Sequence, residues 1–216
     1  MYRVPAALLA VVLILLQTFP AWAGSTTGAP NLRTPEVYYI SLKGGMTAFS
    51  DISFNDFQDD PDLGNLTATL GSGIEGAVAF GWKFSDGRVE LEGGYYVSEV
   101  ESIAGVPVTG IDYKMATLML NGYYDFETHS DWRPYLGAGI GAANIIVDVP
   151  GSRDDAYAIA YKLGGGVGLD VSRNITLDLG YMFLFTSDFS LTTPDGEFVE
   201  NMDGHTVTLG VRFLIF

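Results

Sequence analysis

The sequence has 216 residues, of which 48% are hydrophobic and 17% are charged, a composition typical of one folded domain rather than of a disordered chain. The absence of cysteine excludes a disulfide framework, a thiolate metal site and a cysteine nucleophile. The formal net charge of -15 argues against nucleic-acid binding, because Lys and Arg make most phosphate contacts.

The start of the chain has the features of a cleavable signal peptide. Arg3 precedes an apolar run, and Ala-Trp-Ala at 21–23 has the small-x-small pattern of a cleavage site. A membrane-anchoring helix is the alternative, but the apolar run is shorter than the about 20 residues that a spanning helix needs. We therefore expect a signal peptide over 1–23, a short lead over 24–35 and a single domain over 36–216.

Period-two alternation dominates the rest of the chain. In the segment IEGAVAFGWKF, which begins at Ile74, large apolar residues alternate with small or charged ones. Near Ala143 the phase of the alternation slips, which predicts a β-bulge. Eight such segments without an amphipathic helix predict an antiparallel all-β meander. The segments cover 37–46, 74–84, 88–97, 113–126, 134–148, 157–171, 175–186 and 204–216.

The connections between these segments alternate between short and long. The short ones are 85–87, 127–132 and 172–174, and the long ones are 47–72, 99–111, 149–156 and 187–203. Gly87 in the first short turn is expected to take a positive φ. Short turns at one end and long loops at the other are typical of outer-membrane barrels. We predict an eight-stranded antiparallel up-and-down transmembrane β-barrel with short periplasmic turns and longer extracellular loops.

The orientation of the two strand faces distinguishes a membrane barrel from a soluble one. A soluble barrel turns its charged face to water, whereas a membrane barrel encloses that face. Here the charged face is rich in Gly and Ala and balances its charges, while aromatic residues lie near strand ends on the other face, which favours the membrane barrel. We predict a lumen charge network formed by Lys43, Glu75, Lys83, Arg88, Glu90, Glu92, Lys114, Asp125, Lys162, Asp170, Asp178 and Arg212.

The chain resembles the opacity-protein and OmpA-like eight-stranded outer-membrane barrels of Gram-negative bacteria. The strings that carry the resemblance are VYYISLKGGMT, VELEGGYY, LMLNGYYDF, WRPYLGAGIGAA and HTVTLGVRFLIF. The resemblance implies a C-terminal assembly signal that includes Phe213 and Phe216. Phe216 departs from the parity of the preceding apolar residues, so either the last residues kink or Phe213 or Ile215 takes part of its role. The family resemblance also implies three partners, which are the barrel-assembly machinery, outer-membrane lipid and lipopolysaccharide.

Candidate catalytic and metal-binding residues have simpler explanations. His129, Ser130 and Asp131 are adjacent in a short turn and are not expected to converge on one reacting atom. The glycine pattern over 137–144 is followed by no helix, so small lumen-facing residues explain it better than a dinucleotide site. Weak divalent-cation candidates are Asp59, Asp60 and Asp62, although a solvated acidic loop is the simpler interpretation. We expect no enzyme activity and no cofactor.

The sequence therefore predicts a monomeric barrel in the cell outer membrane. Its predicted role is structural or surface-interacting, adhesin- or opacity-like, and carried by the acidic extracellular loops. A possible ligand of these loops belongs to a host or another cell surface. The alternatives are a narrow pore for ions or small solutes, a lipid-modifying outer-membrane enzyme and a secreted soluble barrel.

Overall fold

The structure, a computed structural model, covers most of the predicted barrel. It describes residues 37–50, 52–54, 66–70, 72–103, 106–107, 112–149, 152–193 and 196–215. The predicted signal peptide at 1–23 and lead at 24–35 lie outside these residues. Within the described part of the chain, no helix has the length and apolar character needed to cross a membrane.

Eight long strands form one closed antiparallel sheet. Each strand pairs with the next one in the chain, and the first pairs with the last, where Tyr38 lies opposite Ile215. This arrangement confirms the predicted eight-stranded up-and-down barrel. The strands are β1 (Val37–Phe49), β2 (Ser72–Phe84), β3 (Gly87–Ile103), β4 (Asp112–Asp125), β5 (Trp132–Val149), β6 (Ser152–Asp170), β7 (Ile175–Thr186) and β8 (Asp203–Ile215).

The period-two pattern gives the barrel an apolar outside and a largely polar inside. On β2, Val78 and Phe80 are exposed on the outer face, whereas Glu75 and Ala79 are buried in the lumen. Because side chains alternate strictly between the two faces, a register shift of one residue would place charged groups against lipid. The burial pattern therefore agrees with the membrane assignment of the two faces.

Aromatic side chains lie on the outer face near both ends of the strands. At the end with the short turns, Trp82 packs against Phe84 and Tyr124 against Phe126, each with ring centroids 5.1 Å apart. Near the other end, Tyr157 is 74% exposed. Amphipathic aromatic rings at these two levels correspond to the interfacial girdles of outer-membrane barrels.

A charge introduced in the middle of the outer face tests this orientation. Leu118 lies near the centre of β4 and is 58% exposed. We expect Leu118→Arg to lower the free energy of unfolding by about 2–4 kcal/mol, as a cation in contact with lipid hydrocarbon does near the midplane. The measurement is urea unfolding in vesicles, with Asp131→Arg in a short turn as the control. Equal stability of the two variants would show that residue 118 does not face lipid.

Three tight connections close one end of the barrel. They span 85–86, 126–131 and 171–174, and short turns of this kind mark the periplasmic end. The expectation for the first turn was wrong in one respect. Ser85, with a φ of 45°, adopts the left-handed conformation that we expected at Gly87. The turn contains two residues rather than three, so Gly87 is already the first residue of β3.

The connections at the opposite, extracellular end contain further β-structure. Ile52–Phe54 pairs with Leu66–Leu70, which in turn pairs with the upper part of β3. Val106–Pro107 also pairs with β3. Phe189–Thr193 and Gly196–Glu200 form a separate hairpin. The segments predicted as loops over 47–72 and 187–203 are thus partly ordered hairpins.

The connection between β5 and β6 is much shorter than predicted. β5 has 18 residues and β6 has 19, and their pairing extends to Val149 opposite Ser152. Most of the segment predicted as a loop over 149–156 therefore belongs to β6. The third extracellular connection is a long two-stranded projection rather than an irregular loop.

The predicted β-bulge near Ala143 is wrong. The pairing of β5 with β4 passes without a shift through Ala142 opposite Leu118 and Ala143 opposite Thr117. Ala143 and Ile145 both point into the lumen and are fully buried. The apparent slip in the sequence arises because Ile145 is an apolar side chain on the inner face, where we expected only polar or small residues.

Candidate functional site

A row of ion pairs occupies the lumen and begins near the extracellular end of β2. The Lys162 ammonium nitrogen lies 3.5 Å from Glu75 Oε1 and 2.6 Å from Glu92 Oε1. The hydroxyl of Tyr96 donates a hydrogen bond of 2.9 Å to Glu75. Lys162 on β6 thereby connects two carboxylates that lie on β2 and β3 across the barrel.

The row continues through Lys43 on β1. Its ammonium nitrogen lies 2.7 Å from both Glu92 Oε2 and Glu90 Oε2. Glu90 is fully buried, and its second oxygen accepts a hydrogen bond of 2.8 Å from the Tyr39 hydroxyl. Arg88 approaches the same oxygen at 3.3 Å. Both oxygens of this carboxylate are therefore engaged, as a buried charge requires.

The row ends near the periplasmic turns. Arg88 donates from Nε to Asp125 at 2.9 Å, and Lys83 lies 3.8 Å from the other oxygen of Asp125. The guanidinium carbon of Arg88 also lies 4.2 Å from the ring centroid of Tyr123 and 4.5 Å from that of Tyr135. Stacking on two aromatic rings compensates in part for the loss of water around this buried cation.

These contacts form one continuous row of charged groups, in which positive and negative charges alternate. The structure thus brings together eight of the twelve predicted lumen residues, which we call the ionic chain. Because Lys162, Lys43 and Arg88 each lie between two carboxylates, removal of one member leaves a buried neighbour with less compensation of its charge. The ionic chain consists of Glu75, Lys162, Glu92, Lys43, Glu90, Arg88, Asp125 and Lys83.

Two separate ion pairs line the periplasmic half of the lumen. Arg212 donates two hydrogen bonds to Asp178, at 2.5 and 2.9 Å. Arg133 donates to Asp170 at 2.6 Å, and Thr176 donates to the other oxygen of Asp170. Sequence analysis missed Arg133, although it shares the inward parity of Tyr135. With Arg133 included, six cations and six carboxylates lie on the inner face of the described strands.

The assignment of Lys114 to the lumen network is wrong. Lys114 has the same parity as Ala116 and Leu118, and this parity faces outward on β4. It lies near the extracellular end of the strand, opposite Ile146. A count of residue parity along β4 would have placed Lys114 correctly.

The extracellular half of the lumen is filled by apolar side chains, which sequence analysis did not foresee. Met115, Met119, Ile145 and Leu184 are almost completely inaccessible to solvent. They pack with other inward-facing residues at and above the extracellular end of the ionic chain, and we call this group the apolar cluster. The group consists of Phe49, Tyr96, Tyr113, Met115, Met119, Ala143, Ile145, Ala156, Ala158, Ala160, Leu184 and Met202.

Little free volume is left around the ionic chain. A cavity of about 20 Å³ lies next to Lys43, Glu92 and Lys162, which is room for about one water molecule. An eight-stranded barrel is just wide enough for side chains to fill its interior. The described lumen is therefore largely filled by side chains.

The residues considered for catalysis lie in two different parts of the barrel. His129, Ser130 and Asp131 are exposed in the 126–131 turn, where Ser130 bonds with Thr128. His205 lies on the outer face of β8, and its Nδ1 is 2.7 Å from the Tyr181 hydroxyl. The structure does not bring the two histidines together.

Of the other candidate residues, the structure describes the glycine pattern but not the three aspartates. The glycine pattern over 137–144 lies within β5, and a Cβ at Gly137 would overlap the ring of Tyr123. Asp59, Asp60 and Asp62 lie outside the described residues. In the part of the chain that is described, no three His, Asp or Glu side chains form a metal-binding group.

The outward parity of β8 persists to the end of the described strand. Phe213 and Ile215 are both exposed on the outer face, opposite Ile40 and Tyr38 of β1. The strand therefore continues without a kink up to Ile215. Phe216 lies outside the described residues.

The closed eight-stranded barrel, its apolar outer face and its charged interior define an integral outer-membrane protein. The family described as outer membrane protein beta-barrel domain matches residues 8–213, and the chain belongs to this family. These findings confirm the predicted location in the outer membrane of a Gram-negative cell.

Individual relatives are similar over most of their length. The outer membrane protein PagN of Salmonella typhimurium is 23% identical, over 80% of this chain and 81% of its own. The adhesin candidate RC1281 of Rickettsia conorii is 24% identical, over 88% of this chain and 86% of its own. The crystal structure of Neisserial surface protein A has a TM-score of 0.59 at 22% identity and covers 82% of this chain and 96% of its own, which supports the fold.

Proposed function

We propose that this protein is a structural outer-membrane barrel whose acidic extracellular loops contact a partner on a host cell, another cell or a surface. The observation that carries the proposal is the filled lumen. The ionic chain and the apolar cluster occupy most of the described lumen, and the cavity beside Lys43 measures only about 20 Å³, which disfavours a wide route for solutes. The parts of the molecule that remain available for recognition are the extracellular connections.

The charge of these connections indicates the chemistry of the partner. Their acidic residues greatly outnumber their basic ones, so the extracellular end has a strongly negative field. We infer that the partner presents basic groups, or binds through divalent cations. The acidic residues in or beside the four connections are Asp51, Asp56, Asp59, Asp60, Asp62, Glu99, Glu101, Asp112, Asp154, Asp155, Asp188, Asp195, Glu197, Glu200 and Asp203.

The construction of the connections supports the same role. Backbone pairing of Ile52–Phe54 with Leu66–Leu70 extends the extracellular end of a rigid scaffold, and connections on such a scaffold are where recognition residues usually concentrate. The similarity to a Rickettsia protein named as an adhesin candidate points to the same class of function. A narrow pore is the weaker alternative because eight linked charges lie across its path.

We propose a non-catalytic role for the protein. None of the three similar proteins has a name that describes an enzyme; they are PagN, RC1281 and Neisserial surface protein A. His205 packs among aromatic rings on the outer face, and the His129 turn is exposed at the periplasmic end. Neither histidine contacts a carboxylate in the described part of the chain, so neither is oriented as a general base by such a group.

Replacement of residues 51–70 by a short Gly/Ser turn tests the proposed function. Ser50 is kept because its side chain donates a hydrogen bond of 2.6 Å to Asp203 at the start of β8. We expect the variant to insert in the outer membrane and to shift on a gel when boiled, because long surface loops contribute little to stability. Binding of proteoliposomes to epithelial cells and to polylysine-coated surfaces should fall at least about tenfold, if loop 1 supplies more than about 1.4 kcal/mol of the binding energy.

A second variant separates charge from shape. Asn in place of Asp51, Asp56, Asp59, Asp60 and Asp62 retains the loop length but removes its charge. If charge dominates, this variant loses binding as well, and the salt dependence of the remaining binding decreases. Unchanged cell binding by the shortened loop would contradict the assignment of recognition to this region.

A further inference from the structure

The outer face of the barrel carries a polar group within an aromatic cluster at the extracellular end of β7 and β8. His205 is the third residue of β8, lies opposite Phe183 and Ala48, and is exposed. Its ring centroid lies 5.9 Å from that of Tyr181 and 4.9 Å from that of Phe183. We call the group formed by Tyr161, Tyr181, Phe183, Phe185 and His205 the aromatic shelf.

One nitrogen of the imidazole is used within the protein and the other is not. Nδ1 lies 2.7 Å from the Tyr181 hydroxyl, whereas Nε2 has no hydrogen-bond partner in the described part of the chain. If Tyr181 donates to Nδ1, the imidazole proton lies on Nε2 and is free to donate. If Nδ1 donates instead, the Tyr181 proton is free. In either tautomer the pair therefore has one unused donor on the outer face.

The surroundings of this donor favour a ligand from the membrane. His205 shares the lipid-facing parity of Val207 and Leu209, so its ring does not point into the lumen. It lies near the extracellular end of the strand, at the level where lipid headgroups replace hydrocarbon. Asp203 is the nearest carboxylate on the same face of β8, and it accepts a hydrogen bond from Ser50. The neighbouring side chains on β1 and β7, those of Ala48 and Phe183, are uncharged.

We propose that His205 and Tyr181 bind the phosphate group of an outer-leaflet lipid. Phosphate oxygens accept hydrogen bonds from the unused donor, and a hydrogen bond to an ionised phosphate is stronger than one to a neutral acceptor. Phe183 and Phe185 supply an apolar surface for the part of the lipid next to its headgroup. This membrane-facing site is separate from the extracellular loops.

The proposal is tested by measuring the affinity for a phosphate-bearing lipid in a detergent that itself contains no phosphate. The folded protein in dodecyl maltoside micelles is titrated with lipid A, and bound lipid is measured by native mass spectrometry. We expect His205→Leu to weaken binding about tenfold, the effect of losing one charge-assisted hydrogen bond. Tyr181→Phe keeps the aromatic ring but removes the hydroxyl that bonds with His205 Nδ1, and it should weaken binding less than His205→Leu. The gel shift on boiling verifies that each variant is folded.

The second histidine provides a matched control. His129→Leu makes the same substitution in an exposed periplasmic turn and should leave lipid A affinity unchanged. The imidazole NMR signal of His205, but not of His129, should shift with lipid A and shift much less with its dephosphorylated form. Wild-type affinity in His205→Leu, or an equal loss in His129→Leu, would overturn the proposal. An equal His205 shift with inorganic phosphate alone would also overturn it, because the lipid would then not be the source.

Discussion

Glu90→Ala should lower the free energy of unfolding by about 3–5 kcal/mol, the range for breaking a buried ion pair by removing one partner. Glu90 is fully buried and contacts Lys43 at 2.7 Å, Tyr39 at 2.8 Å and Arg88 at 3.3 Å. Its loss leaves Arg88 with Asp125 alone and deprives the Tyr39 hydroxyl of its acceptor. The effect is measured by urea unfolding in detergent, with the gel shift on boiling as the readout of the folded fraction.

Two further variants identify the cause of that loss. Glu127→Ala removes the same charge from an exposed turn residue and should change stability by less than about 0.5 kcal/mol. The double variant Lys43→Met, Glu90→Leu removes both charges and should be less destabilised than Glu90→Ala. Glu90→Ala should also raise single-channel conductance slightly. An unchanged denaturation midpoint for Glu90→Ala would show that Glu90 is not part of the ionic chain.

Gly141→Val should prevent the barrel from closing correctly. A Cβ at Gly141 would overlap the backbone carbonyl oxygen of Leu118 on β4 and lie 2.7 Å from the sulfur of Met119. Overpacking of a filled interior costs about 1–3 kcal/mol when side chains can move, and backbone atoms cannot move without shifting the strand. We therefore expect a loss of at least about 3 kcal/mol, measured as loss of the heat-modifiable form after refolding.

Gly122→Val is the matched control for this substitution. Gly122 lies on the outer face of the neighbouring strand β4, where an added Cβ meets no atom within 4 Å. Valine there faces lipid and also has a higher β-propensity than glycine, so stability should stay equal or rise slightly. If both glycine variants fold equally well, the close contact between β4 and β5 does not limit the size of lumen side chains.

The sequence was sufficient to predict the barrel because each strand has one apolar and one polar or small face. The alternation of Val78 and Phe80 with Ala77 and Ala79 specifies both the period and the face. The three short turns then fix the strand order, since antiparallel neighbours joined by a few residues pair with each other. The family match and the pairing of β1 with β8 confirm this prediction.

The details that sequence analysis missed lie where the two faces do not differ in polarity. In the extracellular half of the lumen, Met115 and Ile145 point inward although they are apolar, so the alternation of β5 looked broken near Ala143. On the outer face, Lys114 is charged although its neighbours are apolar. Residue type alone cannot assign a face in such regions, whereas strand register does.

The partners of the lumen charges could not be read from the sequence either. Lys162 and Glu92 are 70 residues apart, and they meet because β6 and β3 face each other across the barrel. Their contact depends on strand tilt and on the side-chain volume of the residues around them, neither of which is local in the sequence. The sequence indicated which residues face the interior, and the structure was needed to order them into the ionic chain.

The length of β5 and β6 determines how far the molecule rises above the membrane. A transmembrane strand needs about 9–11 residues, so these strands of 18 and 19 residues have roughly 8 residues to spare. At about 3.3 Å per residue and a tilt near 40°, the surplus corresponds to roughly 20 Å of height above the hydrocarbon layer. The strand ends at Val149 and Ser152 therefore lie well above the hydrocarbon layer, and an approaching macromolecule meets them before it meets any lipid.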